Sequence, residues 1–400
     1  MAAPQDVDIA IVGGGLVGAS LAVALKPLGY AVALIEAAPQ SLPAPSWDER
    51  CIGLNEASHR IFSALGVWDA IRPDAEPILA THISERGRFG VSRFTAAEAG
   101  LPALGYNTPL RAIGAALDAR LRGATHVRML APAKLETLEV ADDGAVLKLD
   151  RAALRAKLVV AADGAQSAVR AQLGIGAQTR DYRQSAVVGA LRPERPHAGI
   201  AYERFTPEGP IAVLPRPDQR CVLVWTVPTA RAQEILSWDD ARFLAGIQDA
   251  FGNRLGKFLE AGRRQAYPLA RVMSQSLHAP RTLFIGNAAQ TLHPVAAQGF
   301  NLGLRDAATL AELLAARPAD PGAPALLADY AAQRAPDRAQ VSDFTDQLVR
   351  LFSNAVPGLR GARHLGLLAL DLLPPLKQSV LRRNLGYAGP ALARGGAPRP

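Results

Sequence analysis

The stretch that decides the fold is VDIAIVGGGLVGASLAVALKPLGYAVALIE, residues 7–36. Residues 7–12 form a short β-rich apolar run, and residues 13–18, GGGLVG, contain four glycines. Helical spacing follows over residues 16–28, and residues 31–35 form a second apolar run. The order of strand, tight turn, helix and strand predicts a βαβ unit in a buried parallel sheet.

The glycine turn has the spacing G-x-G-x-x-G of a dinucleotide-binding loop. Gly13 permits the tight turn, Gly15 lets a pyrophosphate approach the backbone, and Gly18 lets the helix pack on the strand. The start of the helix offers free N–H groups and a positive dipole end to the phosphates. Glu36, at the end of the second strand, is placed to accept from ribose hydroxyls. We predict a dinucleotide site, the alternative being a glycine-rich turn that binds nothing.

Later segments extend this sheet and add a second one. The apolar runs at residues 158–162 and 282–285 continue the parallel sheet, whereas residues 182–278 contain β-branched segments separated by Pro and Gly. That pattern predicts an antiparallel sheet inserted between pieces of the first domain. Helical spacing returns over residues 302–314 and 325–352. The fold class is therefore α/β, a Rossmann-like domain with an inserted antiparallel-sheet domain and C-terminal helices.

A second ligand loop follows the strand at residues 282–285. In GNAAQTLHPVAAQGFNLGLRD, residues 286–306, a strand ends, a loop crosses and a helix begins near Gly299. That helix would aim a second positive dipole end at a ligand, an arrangement that stabilises the negative charge of a reduced flavin. Arg305 and Asp306 are interpreted as a local ion pair that caps this helix.

Charge and cysteine content limit the partners and the compartment. The net charge is +8, and residues 351–400 hold seven basic side chains against one acidic residue. Because no dense Lys/Arg block occurs, we expect no nucleic-acid partner. Cys51 and Cys221 lie far apart and match no metal spacing, so we expect buried thiols, no metal site and a cytoplasmic location.

The basic C-terminal region contains an apolar segment, LGLLALDLLPPL at residues 365–376, which is too short to span a bilayer. An apolar segment flanked by arginines is typical of an interfacial helix on anionic lipid, or of a surface that docks to partner proteins. The alternative is a core helix with solvated arginines around it. We therefore expect this segment either to contact the inner membrane peripherally or to be buried in the core of the protein.

Three segments resemble the FAD-binding motifs of the aromatic-ring hydroxylases, the single-component flavoprotein monooxygenases. They are GGGLVG at residues 13–18, ADGAQSAVR at residues 162–170 and the loop from Gly286. The loop, with ERFTPEGP at residues 203–210 and the Ser-Trp pair at 237–238, is more similar to the polyprenyl-methoxyphenol hydroxylases of ubiquinone biosynthesis. The similarity runs from about residue 7 to residue 387.

The resemblance implies an arrangement like that of p-hydroxybenzoate hydroxylase. The implied domains are a discontinuous FAD-binding domain (1–75, 100–180 and 280–350), a substrate-binding β-sheet domain (76–99 and 181–279) and a basic apolar helical segment (351–400). The implied cofactor-binding residues are Gly13, Gly15, Gly18, Glu36, Arg50, Arg111, Asp163, Gly164, Gly286, Asn287, Pro294, Gln298, Gly299 and Asn301. Among them, Gly13, Gly15, Gly18 and Glu36 would hold the ADP half of FAD. Gln298, Gly299 and Asn301 would lie against the isoalloxazine ring.

The sequence departs from the family pattern at two positions. Asn287 stands where the family usually has Asp, and Ala297 stands where it usually has Gly. An Asn side-chain oxygen can still accept from a ribityl hydroxyl, and the Asn form also occurs in the polyprenyl-methoxyphenol group. Ala297 places one additional methyl group close to the flavin.

The resemblance also implies the reaction. FAD, NAD(P)H or another reductant, and O2 would convert 2-polyprenyl-6-methoxyphenol to 2-polyprenyl-6-methoxy-1,4-benzoquinol through a flavin C4a-hydroperoxide. The alternatives are another ring position in the ubiquinone pathway, a soluble aromatic hydroxylase, or a flavin-loaded member of a ubiquinone-biosynthesis complex with little turnover. His293 is the candidate catalytic side chain, for phenol deprotonation; the alternative is a loop histidine satisfied by the backbone.

Overall fold

The computed structural model describes residues 4–39, 50–88, 90–316, 320–352 and 373–387. The strands are β1 (Gln5–Val12), β2 (Val32–Ile35), β3 (Cys51–Asn55), β4 (Glu76–Ile78), β5 (Ala80–Glu85), β6 (Val91–Thr95), β7 (Gly105–Pro109), β8 (Val127–Leu130), β9 (Leu135–Ala141), β10 (Gly144–Leu149), β11 (Ala153–Ala161), β12 (Ala177–Pro193), β13 (Ile200–Phe205), β14 (Pro210–Pro215), β15 (Cys221–Pro228), β16 (Phe258–Ala261), β17 (Gln265–Ser274), β18 (His278–Ala279), β19 (Thr282–Phe284) and β20 (Gln290–Thr291). The helices are α1 (Leu16–Ala24), α2 (Glu56–Ala64), α3 (Trp68–Ile71), α4 (Leu110–Leu121), α5 (Ala168–Gln172), α6 (Thr229–Leu236), α7 (Asp240–Phe251), α8 (Gln298–Ala316), α9 (Pro324–Phe352) and α10 (Pro374–Asn384).

The first sheet has the order β18-β19-β11-β1-β2-β8, and its strands from β19 to β8 are parallel. Ile9 on β1 is fully buried and pairs with Leu158 on one side and Val32 on the other, as in a parallel sheet covered on both faces. The predicted βαβ unit is present, but α1 ends earlier than the predicted residue 28. Pro27 lacks the N–H that an α-helix would need there, and the chain continues as a 3₁₀ turn over Lys26–Leu28.

The second sheet has the order β20-β17-β12-β15-β14-β13-β5-β6, with β16 beside β12. Its strands are antiparallel except for the parallel pair β13 and β5. Side chains alternate between its two faces. One face, with Trp225 and Val213, packs against Phe243 and Phe251 of α7 in a core of its own. The opposite face is turned toward the first domain.

A third, small sheet has the order β3-β7-β4. β4 falls within the segment 76–99 that the sequence places in the inserted domain, yet it pairs with β7 of the small sheet. From that segment, β5 and β6 join the second sheet. The second sheet also takes a short strand, β20, from the ligand loop.

The C-terminal helix α10 folds back on the body of the protein. Leu381 and Leu385 pack against Phe94 of β6, and the carbonyl of Leu385 accepts from Ala57 N at 3.0 Å. Most of the predicted apolar segment, up to residue 372, lies outside the described residues. In the described part of the chain, no helix is long and apolar enough to cross a membrane.

Candidate functional site

A cavity of about 1020 Å³ lies between the two large sheets. We call its first wall the floor: the turns after β1, β11 and β19 and the start of α8, within residues 13–18, 162–164 and 286–301. The opposite wall, the roof, is the cavity-facing side of β5, β13, β14 and β15. Helix α10 closes one side. Ligands of open α/β sheets bind at this carboxyl edge of the parallel strands.

The glycine turn of the floor is held by close backbone packing. Gly13 has φ +108°, and a Cβ added there would lie 2.4 Å from the carbonyl oxygen of Ala162. A Cβ on Gly18 would lie 2.0 Å from the carbonyl oxygen of Gly13. Gly15 differs, because a Cβ added there would meet no atom within 4 Å. Gly15 also lines the cavity. Two glycines therefore make the turn possible, and the third leaves space.

The start of α1 is open to the cavity. Gly15 precedes the helix without a side-chain cap, so the first-turn N–H groups have no side-chain acceptor. Glu36 lies beside the turn, where its Oε2 accepts from Gly14 N and its Oε1 accepts from Ala38 N, each at 2.8 Å. The structure thus brings Glu36 to the loop, as the spacing predicts, and fixes its carboxylate there.

The turn after β11 contributes a second open glycine. Gly164 has φ +86°, lines the cavity, and has open space where a Cβ would stand. Asp163 accepts from Val169 N through Oδ2 at 3.1 Å, while its buried Oδ1 has no partner among the described residues. A buried acceptor without a donor is a position where a ligand hydroxyl or N–H fits.

The loop before α8 supplies the rest of the floor. Gly286 adopts φ +56° and donates its N–H to Asp306 Oδ2 at 3.0 Å, while Asn287 and Pro294 also line the cavity. Gly299 has open space in place of a Cβ. Gln298 is buried, lines the cavity, and has no partner for its Oε1 in the described structure.

Asn301 reaches the cavity wall, but its side chain is already occupied. Its Oδ1 accepts from Asn55 N at 3.0 Å and Ser58 Oγ at 2.6 Å, and its Nδ2 donates to the carbonyls of Gly53 and Ala297. Asn301 therefore joins β3 and α2 to the first turn of α8. Its place against the ring stays a prediction, and these contacts fix its side chain in the cavity wall.

Two predicted residues lie away from this group. Arg111 is half exposed and donates to Asp74 at 3.4 Å, and Arg50 is exposed beside the start of α4, where its carbonyl accepts from Leu110 N. Neither arginine lines the described cavity. The structure therefore does not bring them together with the floor residues.

His293 is almost completely buried in the floor loop and lines the cavity. Its Nδ1 accepts from Val295 N at 3.1 Å, so the neutral ring carries its proton on Nε2, which has no partner among the described residues. Burial lowers the pKa of His293 to about 4. The ring contacts Tyr182 edge-on with centroids 5.1 Å apart. His293 is thus a neutral donor at neutral pH.

A buried ionic cluster below the floor was missed by the sequence reasoning. Arg305 binds Asp337 at 2.8 Å, and Arg334 binds Asp306 at 2.7 Å and Asp337 at 2.8 Å. The predicted local pair of Arg305 with Asp306 is wrong, because adjacent residues on a helix point in different directions. Although burial acts to raise it, the two guanidinium groups hold the pKa of Asp337 below its ordinary value. Asp306 connects this cluster to the N–H of Gly286.

These features fit an extended dinucleotide that ends in a flat ring. An uncapped helix start and open glycines line one cavity, and buried side-chain acceptors without partners in the described structure lie in the same turns. The family described as "FAD binding domain" matches residues 6–345. The chain belongs to the FAD binding domain family.

The chain is similar to curated proteins over nearly its whole length. Ubiquinone hydroxylase UbiL of Rhodospirillum rubrum is 40% identical, over 98% of this chain and 94% of that protein. The 3-demethoxyubiquinol 3-hydroxylase of Escherichia coli is 36% identical, over 96% of this chain and 99% of that protein. The predicted identity, an FAD-dependent aromatic hydroxylase of the ubiquinone-biosynthesis family using FAD, a reductant and O2, is confirmed.

The fold is shared with solved structures of flavin enzymes. The p-nitrophenol 4-monooxygenase PnpA of Pseudomonas putida superposes with a TM-score of 0.79 at 18% identity, over 98% of this chain and all of that chain. At that identity the likeness concerns the fold alone. The predicted α/β architecture of an FAD-binding domain family member with an added antiparallel sheet is confirmed.

Proposed function

We propose that this FAD binding domain protein hydroxylates the aromatic ring of a polyprenylated phenol in ubiquinone biosynthesis, converting 2-polyprenyl-6-methoxyphenol to 2-polyprenyl-6-methoxy-1,4-benzoquinol. The observation that carries the proposal is the cavity, whose open glycine floor faces an apolar roof across one continuous space. A ring and an isoprenoid tail are apolar, and such groups bind in concave apolar sites. The ubiquinone hydroxylases among the relatives support this substrate class.

The floor residues would hold the cofactor. Proposed contacts to its ADP half are Gly13, Gly15, Gly18 and Glu36, and proposed contacts to its remainder are Asp163, Gly164, Gly286, Asn287, Pro294, Gln298 and Gly299. Arg111 pairs with Asp74 and Arg50 does not line the described cavity, so neither arginine is among the proposed contacts. Bound and reduced FAD supplies the activation of O2 from which one oxygen atom reaches the ring.

The roof would bind the substrate and exclude water. Ile83, Ala212, Val224 and Phe205 line it, and such side chains favour an aromatic ring and prenyl units over water. Water exclusion matters because it suppresses the unproductive release of H2O2. The same apolar surface disfavours a soluble substrate bearing a carboxylate, since burying an unpaired charge is costly.

His293 would orient a ligand rather than deprotonate it. A neutral imidazole whose conjugate acid has a pKa of about 4 is a weak base toward a phenol, whose pKa is about 10. Its Nε2–H is instead a buried hydrogen-bond donor without a partner among the described residues, on a side chain that lines the cavity. We therefore assign His293 to positioning an oxygen atom of the substrate or the cofactor.

Helix α10 would receive the isoprenoid tail from the membrane. Leu376 lines the cavity and is also 44% exposed, and the neighbouring Leu373 is 52% exposed. Arg382 and Arg383 lie in the last turn of the same helix, where anionic headgroups would bind them. Because α10 forms a cavity wall, its deletion would open the site, so point substitutions give the cleaner test.

The membrane contact is tested with liposomes. The double variant Leu373→Ser with Leu376→Ser should lose co-sedimentation with vesicles containing phosphatidylglycerol. The control Leu259→Ser, which changes an exposed leucine on β16, should not. Equal co-sedimentation of the double variant and the wild type would overturn the membrane contact, leaving the hydroxylase proposal in place.

The reaction is tested with two substrates. The FAD-loaded protein, NAD(P)H and O2 are incubated with a 2-prenylated 6-methoxyphenol or with a demethoxyquinol analogue of the same tail length, and the products are identified by mass spectrometry. We expect the 1,4-benzoquinol from the first substrate. Hydroxylation of the second substrate alone would move the activity to another ring position, which the 36% identity to a 3-demethoxyubiquinol 3-hydroxylase favours as the second candidate. Hydroxylation of neither would overturn the proposal.

A further inference from the structure

One carboxylate of the roof has no role in the site as described so far. Glu203 lies on β13, where it pairs with Ile83 of β5 on one side and Ala212 of β14 on the other. Ala212 pairs in turn with Val224 of β15. Paired residues of neighbouring strands point to the same face of a sheet, and all four of these residues line the cavity. Glu203 therefore stands in the middle of the apolar roof.

The surroundings of Glu203 offer no counter-charge. Among the described residues that line the cavity, Glu203 is the only Asp, Glu, Lys or Arg. Burial is the only influence on the pKa of its carboxyl, with no hydrogen bond or counter-charge from the described residues. Folded proteins rarely keep a carboxylate in an apolar wall without a partner, because desolvation disfavours its charge. A retained, unpaired carboxylate that faces a ligand cavity indicates a partner in the ligand.

The other titratable groups nearby are packed elsewhere, engaged by another partner, or neutral. On β13, Tyr202 packs into the opposite core and Arg204 donates to the carbonyl of Ala250. On β5, His82 contacts Tyr202 on that same opposite side. From α10, Lys377 is engaged by Glu98, and from the floor loop His293 is neutral.

The environment of Glu203 changes the pKa of its carboxyl group. Burial raises the pKa of Glu203 to about 7, from an ordinary value of 4.5. This pKa is closer to the pKa of a phenol, about 10, than the pKa of an ordinary glutamate is. It is ionised in half of the molecules near neutral pH, so it can accept a proton there.

We propose that Glu203 is a catalytic residue that binds the hydroxyl of the substrate phenol and accepts its proton, an assignment that rests on the proposed function. The phenolic O–H bond breaks, the proton passes to the Glu203 carboxylate, and the electron pair stays on the phenolate oxygen. The phenolate donates more electron density to the para carbon that is hydroxylated. One negative charge is present before and after the transfer, so the apolar roof does not oppose it. The proton leaves to solvent when the product departs.

The experiment compares Glu203→Gln, which cannot accept a proton, with Glu203→Asp, which keeps a carboxylate. Glu208→Gln is the matched control, because Glu208 is an exposed glutamate in the turn just after β13. With a 2-prenylated 6-methoxyphenol, we expect kcat of Glu203→Gln to fall about 100-fold while KM changes less than about threefold. Glu203→Asp should recover part of the loss, and Glu208→Gln should match the wild type.

Two further readouts separate catalysis from structure. In the wild type, kcat/KM should rise with pH through about 7, as Glu203 ionises, and Glu203→Gln should lack that rise. Addition of a 2-prenylated 4-nitrophenol, a probe whose pKa is close to that of Glu203, to the oxidised, FAD-loaded protein at pH 7 should produce a larger phenolate difference spectrum in the wild type than in Glu203→Gln. Flavin reduction by NAD(P)H should be the same in all variants.

The outcomes distinguish the two proposals. Suppose that the wild type hydroxylates the phenol and that Glu203→Gln keeps its kcat, its pH dependence and the phenolate spectrum. That result would overturn the role of Glu203 and leave the proposed function in place. A wild type that forms the bound phenolate but no quinol would support Glu203 as the phenol-binding base and overturn the proposed function.

Discussion

The floor and the roof of the cavity achieve their functions in different ways. The floor depends on backbone geometry: Gly13 and Gly18 approach other backbone atoms so closely that no side chain fits, and Gly286 is tied to a buried ionic cluster. The roof is a regular sheet face on which the identity of single side chains, such as Glu203, carries the chemistry. The floor should therefore respond to substitution through folding and cofactor retention, and the roof through turnover and pH.

The largest effect is expected from the ionic cluster that supports the floor. Arg334→Met leaves Asp306 and Asp337 with one guanidinium fewer in a fully buried site, so we expect a loss of about 3–5 kcal/mol in the free energy of unfolding. Lys148→Met, which breaks an exposed pair with Glu139, should cost less than about 1 kcal/mol. Urea unfolding monitored by circular dichroism measures both. Equal losses in the two variants would contradict the structural role of the cluster.

The next effect separates two glycines of one turn. Gly18→Ala should cost about 3 kcal/mol of stability, because its Cβ would collide with the carbonyl oxygen of Gly13. Gly15→Ala places its Cβ in open space facing the cavity, so the apoprotein should keep its melting temperature while FAD affinity falls. Thermal unfolding of the apoproteins and FAD titration provide the data. If Gly15→Ala bound FAD as tightly as the wild type, the cofactor would not approach this turn.

The roof should show its effect in the pH dependence of stability. Burial raises the pKa of Glu203 above its value in the unfolded chain. The folded wild type therefore has its full stability below about pH 4.5, and it loses part of that stability as pH rises through about 7. Glu203→Gln stays neutral, so its stability relative to the wild type should increase by about 2 kcal/mol between pH 5 and pH 8. Melting temperatures of the apoproteins across this range test it. A constant difference would mean that Glu203 is solvated in the folded protein.

The smallest effect concerns the one floor position where a side chain occupies a glycine conformation. Ala297 has φ +50°, and its Cβ lies 3.2 Å from where a Cβ on Gly53 would stand. Ala297→Gly should relieve about 1 kcal/mol of backbone strain, partly offset by the greater freedom of the unfolded chain. A melting temperature that is unchanged or slightly raised, with unchanged FAD affinity, is expected. A drop of several degrees would show that the methyl group is required.

The same contrast explains what the sequence could predict. The floor was predictable because backbone constraints leave fixed glycine spacings, and Gly13, Gly15, Gly18 and Glu36 indeed converge on one loop. The roof was not, since any alternating apolar strand looks alike until strand pairing shows which face meets the cavity. The cluster of Arg305 and Arg334 joins two helices, and one-dimensional spacing contains no information about such contacts.

Isotope labelling tests the central claim most directly. The FAD-loaded wild type is incubated with NAD(P)H, a 2-prenylated 6-methoxyphenol and ¹⁸O₂, and the quinol is analysed by mass spectrometry. If the floor holds FAD and the roof presents the ring to it, the product gains one ¹⁸O atom, and Gly15→Ala gives much less of it. A product without ¹⁸O, or NAD(P)H oxidation that yields only H2O2 from every polyprenylated phenol offered, would contradict this account.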